Sequence, residues 1–152
     1  MAAEYVFVDE WDVAAPIETV FDVVADASTY PQWWRPVYLS VDSEGPVAVG
    51  QVSRHHFKGK LPYTLRMRAQ MTAFDRPHSF EFSVDGDLRG RGVWRFEERD
   101  GKTHLRWDWI VFADKALLRV LTPVLRPLFR WNHSWAVARA IEGLEPYART
   151  RS

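Results

Sequence analysis

Two pairs of adjacent polar residues, His55 with His56 and Asn132 with His133, are the places where this chain could do chemistry. The sequence has no cysteine, which removes thiol nucleophiles, thiolate metal sites and disulfides from consideration. His55 and His56 follow one another in QVSRHHFKG, a stretch that reads as a strand. Their side chains therefore leave opposite faces and do not make a simple two-ligand metal pair. Whichever of them points inward is read as a histidine satisfied by its neighbours or sitting at a solvent edge. His133 lies within a helical turn of Asn132, Phe129 and Ala136. An imidazole titrates near neutrality, so His133 could donate or accept a proton for a group held in front of it. The competing reading is that Asn132 and His133 tie their helix to a neighbouring loop, because buried polar groups normally find structural partners. Asp9 falls on the apolar side of the first strand, either at the strand's open end or as a polar group in a cavity. No motif assembles a complete catalytic constellation, and nothing in the residues calls for a cofactor or a metal.

The elements that must position these groups follow from periodicity. The segment Lys115 to Arg149 is the one stretch long enough for a helix of many turns. At about 100° per residue, Leu125, Phe129, Ala136, Ala140, Gly143, Leu144 and Tyr147 share one side, opposite Arg126, Arg130, Ser134 and Glu145. Small residues in the middle of the apolar side let another element approach closely or leave room for something else. Pro123 and Pro127 each delete a helical hydrogen bond, which predicts a break or kink there and an unbroken helix from about Pro127. At the other end, Glu4 to Val13 alternates as a strand with Tyr5, Phe7 and Trp11 on one face. Pro16 opens a short helix ending near Asp26, and STYPQWWRP reads as a turn in which Trp33 and Trp34 are not both easily buried.

From Tyr38 to Val111 six apolar-alternating runs are separated by short turn signals, so consecutive strands pair antiparallel. Tyr63, Leu65, Met67, Ala69 and Met71 form one inner row, Phe80, Phe82 and Val84 a second, Trp94 and Phe96 a third, and Leu105, Trp107, Trp109 and Val111 a fourth. Gly90 and Gly92 fall on that apolar face, where bending or space is needed. The arginines lie on the opposite face with Glu81, Glu97 and Asp108, a solvated face rather than an anion site. The expectation is an α+β domain spanning 1–152, a seven-stranded antiparallel sheet with helices on one face.

Lys plus Arg (20) balances Asp plus Glu (20), so the charge gives no reason to expect nucleic acid as a partner. The N-terminus carries no basic start followed by an apolar run, which reads as a cytoplasmic protein. Aromatic residues make up 14% of the chain; large rings leave irregular gaps between them, compatible with a ligand cavity as well as with a dense core.

The order of elements, with APIETVFDVVADASTYPQWW (15–34), KGKLPY (58–63), GDLRGRGVW (86–94), THLRWDW (103–109) and RPLFRWNHSWAVARAIEGL (126–144), resembles the helix-grip superfamily. That superfamily includes the START lipid-transfer domains, the Bet v 1-like proteins and the bacterial polyketide cyclase/dehydrase proteins (SRPBCC). The resemblance implies a curved sheet wrapped around the C-terminal helix, with one or two short helices after the first strand. It also implies a deep cavity for hydrophobic or amphipathic small molecules, used by carriers, receptors, cyclases and quinone-binding proteins.

On that footing the expected function is binding or carrying a lipid-, polyketide- or quinone-like molecule. The expected wall is Phe7, Trp11, Trp34, Tyr63, Met67, Phe82, Trp94, Trp107, Trp109, Phe129 and Ala136, with Asn132 and His133 orienting the ligand. A polyketide aromatase/cyclase working in the same cavity is the alternative; His133, Asn132, Tyr63 and Arg139 are the candidates to polarise a carbonyl or move a proton. A third reading, resembling the quinone-binding branch, is a quinone-binding module in which YPQWW and the basic RVLTPVLRPLFR segment (119–130) dock transiently on a membrane or a protein. Both a monomer and a homodimer fit the sequence.

Overall fold

A computed structural model describes the backbone of residues 3–113 and 116–151, and the side chains of residues 4–112 and 126–151. Strand β1 (Ala3–Val13) leads into helix α1 (Ile17–Ala25), a 3-10 turn (Ala27–Thr29) and the single-turn helix α2 (Tyr30–Trp33). Six strands follow: β2 (Tyr38–Glu44), β3 (Val52–Phe57), β4 (Leu65–Asp75), β5 (Ser79–Gly86), β6 (Leu88–Arg99) and β7 (Lys102–Ala113). Helix α3 (Ala116–Arg149) completes the chain. The seven strands form one sheet in the order β1-β7-β6-β5-β4-β3-β2, and every pairing is antiparallel. The expected meander is therefore present, and β1 closes it by pairing with β7 from Ala3↔Ala113 to Val13↔Thr103. Helix α3 packs across β1, β7, α1 and α2.

The alternating rows land where periodicity put them. Leu65, Met67, Ala69 and Met71 of β4, Phe80 and Val84 of β5, Trp94 and Phe96 of β6, and Leu105, Trp107, Trp109 and Val111 of β7 are all buried on the concave side. Phe21 of α1, fully buried, meets Phe74, Phe80 and Phe96 edge-on at 5.1 to 5.8 Å, which fixes α1 over one end of the sheet. On the convex side Arg95 pairs with Asp108 at 2.7 Å and Arg91 reaches Glu81 at 3.5 Å. Such exposed pairs contribute little to stability but keep that face solvated.

The glycines of β6 serve both purposes expected of them. A Cβ at Gly92 would stand 2.4 Å from the ring of Phe82, so the missing side chain is space taken by an aromatic of the next strand. Gly90 has φ +153°, and a Cβ there would lie 2.1 Å from the Ile110 carbonyl oxygen across the β6–β7 pair.

Several expectations are corrected. Helix α3 runs without a break through both prolines. Each proline removes only one N–H from the helical ladder, which the remaining hydrogen bonds of so long a helix outlast. Leu125, placed on the apolar side, lies outside the residues whose side chains are described. Glu145 is not on a free polar side: its Oε1 accepts the Ala14 N–H at 2.7 Å, satisfying an amide in the link from β1 to α1. Arg126 lies over the Tyr5 ring at 4.6 Å and donates to the Glu4 carbonyl. Trp33 and Trp34 are both buried, each 3% exposed. They stack on one another at 5.4 Å, and each indole N–H has an acceptor, Thr29 Oγ1 for Trp33 and the Ala136 carbonyl for Trp34. Burial of both is possible because α3 comes down on them: a Cβ at Gly143 would sit 1.7 Å from the Trp33 carbonyl oxygen. Finally, Tyr63 precedes β4 and belongs to the 58–64 connection rather than to a strand.

Candidate functional site

The concave face and α3 do not meet everywhere. Two adjoining chambers remain between them, of about 100 and 110 Å³. Val37, Phe57, Trp109, His133 and Ala136 line both, so these residues form the waist that separates them. The small side chain of Ala136 is what leaves room at this level of α3, whereas Gly143 serves close approach.

The first chamber, the more enclosed, lies over the β3–β7 rows. Trp34, Met67, Phe82, Trp94, Trp107, Trp109, His133 and Ala136 of the expected wall line it. Trp94 and Trp107 stack at 5.0 Å with planes 6° apart, and Trp34 meets Trp107 edge-on at 5.7 Å. The second chamber is lined by Phe7, Tyr63, Phe129 and Asn132 together with the waist residues. Trp11 is the member of the expected wall that lines neither chamber. It lies edge-on to Trp94 at 5.9 Å, inside the hydrophobic core. Arg139 also lies elsewhere, bonded to Glu142 at 2.8 Å and lying over the Trp135 ring.

His133 stands at the waist with its Nε2 2.8 Å from Asp9 Oδ2 of β1. A carboxylate can only accept, so Nε2 carries the proton and, in the neutral ring, Nδ1 is left as an acceptor. The ring is stacked on Phe7 at 3.8 Å and tilted over Trp107 at 5.6 Å, so it is held in plane by aromatics and in orientation by Asp9. Asp9 on the apolar side of β1 is thus a paired polar group. Asn132 does a different job. Its Oδ1 accepts the backbone N–H groups of Lys60 at 2.5 Å and Leu61 at 3.2 Å, and Gly59 packs against the same amide group. It pins the 58–64 connection, which carries Tyr63 over the second chamber. Burial, with a smaller contribution from Tyr5, pushes the Tyr63 phenol up to about 12, so it acts as a neutral hydroxyl.

The sequence reading missed a polar cluster in the first chamber. Ser53, His55 and Tyr38 are all buried on its wall. Ser53 Oγ is 2.8 Å from His55 Nε2, and Tyr38 OH is 3.2 Å from His55 Nδ1. Burial lowers the His55 pKa to about 4 and raises that of Tyr38, so both are neutral near pH 7. Parity within SRHHF already places Ser53, His55 and Phe57 on one face; the β2–β3 pairing that brings Tyr38 to them lies outside the reach of local pattern. His56 leaves the opposite face, as expected of adjacent strand residues. Among the described residues no group of three His, Asp or Glu could hold a metal ion, and no helix is long and apolar enough to cross a membrane.

A bent antiparallel sheet gripping a long helix around an aromatic-walled cavity defines the Bet v 1-like class. Residues 6–148 match the family described as "Polyketide cyclase / dehydrase and lipid transport", and the chain belongs to it. Solved structures agree on the fold. TTHA0849 from Thermus thermophilus superposes with a TM-score of 0.82 at 18% identity, covering 97% of this chain and 99% of that one. The Zhui aromatase/cyclase from Streptomyces sp. R1128 gives 0.69 at 17% identity, covering 98% and 96%. Ara h 8.0201 gives 0.63 at 16% identity, covering 97% and 99%. No curated protein sequence matches the chain.

Proposed function

We propose that this chain, as a single domain, binds and carries a hydrophobic small molecule in the two chambers between the sheet and α3. The observation that supports this reading is the pair of apolar chambers sharing one waist at His133 and Ala136. Burying ligand carbon there is worth roughly 25 cal/mol per Å² before ordering costs. Even together the two chambers fall short of the roughly 300 Å³ at which drug-sized pockets begin, so a lipid-, polyketide- or quinone-sized ligand would fill both and widen them by parting the waist. Native mass spectrometry of the protein as purified tests the reading through a retained apolar molecule, backed by displacement of a nonpolar fluorescent probe. Ala136→Trp fills the waist and should abolish probe binding while leaving the protein folded; undiminished binding would place the ligand elsewhere.

A polyketide cyclase is the second reading, favoured by the Asp9–His133 pair at the waist. A carboxylate-oriented imidazole facing an apolar cavity suits proton removal next to a ligand carbonyl. Under this reading His133→Ala removes turnover of a poly-keto substrate while ligand binding persists. The membrane-docking reading has less support: both tryptophans of YPQWW are buried, and residues 119–125 of the basic segment lie outside the described side chains.

A further inference from the structure

The Ser53–His55–Tyr38 cluster has one more hydrogen than it can use internally. Two hydroxyls and one neutral imidazole carry three donor hydrogens, and the chain of two contacts consumes two of them. If Nε2 is protonated it donates to Ser53 and Tyr38 donates to Nδ1, leaving the Ser53 hydrogen. With Nδ1 protonated the roles reverse, leaving the Tyr38 hydrogen. Either tautomer presents one uncommitted O–H on the wall of the first chamber. Trp107, on the wall of that chamber, has a buried indole N–H with no acceptor among the described residues. A buried donor without an acceptor is destabilising, and a ligand oxygen would offset that cost.

The charges around this chamber are equally specific. None of its described lining residues is Asp, Glu, Lys or Arg, and the sole charged side chain among those lining the second chamber is Lys58. An ionised ligand group in the first chamber would lose its hydration and find no uncommitted counter-charge, since burial holds His55 neutral and His133 at the waist is already engaged by the Asp9 carboxylate.

We infer that the first chamber is the subsite for an uncharged oxygen function of the ligand, a ketone or a phenol. The uncommitted hydroxyl of the Ser53–His55–Tyr38 cluster binds that oxygen, and carboxylates are rejected. This rests on the hydrophobic-ligand reading and narrows it: neutral oxygenated ring compounds are ligands, and fatty-acid anions are not.

The experiment is calorimetric titration of the wild-type protein at pH 7.5 with four matched probes: 2-naphthol, 2-acetylnaphthalene, 2-methylnaphthalene and 2-naphthoate. The expected order is 2-naphthol and 2-acetylnaphthalene tightest, each at least about tenfold tighter than 2-naphthoate and measurably tighter than 2-methylnaphthalene. The double variant S53A/Y38F should lose the preference for 2-naphthol over 2-methylnaphthalene, and saturable binding of the latter reports that it is folded. Binding of 2-naphthoate as tight as that of 2-naphthol, or a wild type that does not distinguish 2-naphthol from 2-methylnaphthalene, overturns the subsite but leaves the cavity reading standing. Failure of all four to bind overturns both. The wild-type series decides the matter even where the double variant does not fold.

Discussion

Burial of His55 makes a testable demand on the pH dependence of stability. In the unfolded chain its imidazole titrates near its ordinary value of 6.5, whereas in the fold burial lowers that to about 4. Between those values the unfolded chain binds a proton that the folded chain refuses, so stability rises with pH across this window. The contribution is fully present above about 6.5 and is lost as pH falls through about 4. At about 1.4 kcal/mol per pH unit the full gap is worth about 3 kcal/mol, of which about 2 kcal/mol should be lost between pH 7 and pH 4.5. Urea unfolding of wild type and His55→Gln at these two pH values isolates this term, because the variant keeps a polar side chain but cannot titrate. Wild type should lose about 2 kcal/mol more than the variant on acidification. An NMR titration should find the His55 ring neutral well below pH 6. Parallel losses in the two proteins, or a ring that titrates near 6.5, would refute the argument that desolvation governs this side chain.

The other perturbations probe the scaffold around the site. Asn132→Ala removes the acceptor for the Lys60 and Leu61 amides and should cost about 1 kcal/mol, with hydrogen exchange of those two amides accelerated; unchanged protection would mean that something else holds the connection. Gly143→Ala puts a methyl group into the Trp33 carbonyl, and overpacking outweighs the helix-propensity gain of about 1 kcal/mol, so thermal unfolding should shift down by several degrees. His104 bridges Glu10 at 3.0 Å and Asp12 at 2.7 Å on the outer face, and those hydrogen bonds raise its pKa. Its stabilisation has the opposite sign in pH from that of His55: it is present below the unfolded value of 6.5 and is lost as pH rises through the higher folded value. Asp12→Asn should therefore destabilise by about 0.5 kcal/mol at pH 6 and negligibly at pH 9, measured by urea unfolding.

What the sequence by itself determined was most of what local period governs, the unbroken course of α3 through Pro123 and Pro127 and the place of Tyr63 outside β4 excepted. Two-residue alternation located the strands and their inner rows, short connections made neighbours antiparallel, and the 3.6-residue pattern located α3 and placed Ala136 and His133 toward the sheet. Two kinds of outcome escaped it, both for the same physical reason. Burial of both Trp33 and Trp34 depends on Gly143, more than a hundred positions away, and on the Ala136 carbonyl that takes the Trp34 N–H. Likewise Asp9 meets His133 and Asn132 meets the 60–61 amides only once α3 has crossed the concave face, and Tyr38 meets His55 only once β2 has paired with β3. Polar side chains in an apolar interior must find partners, but which partner each finds is set by three-dimensional register, and no local periodicity encodes it.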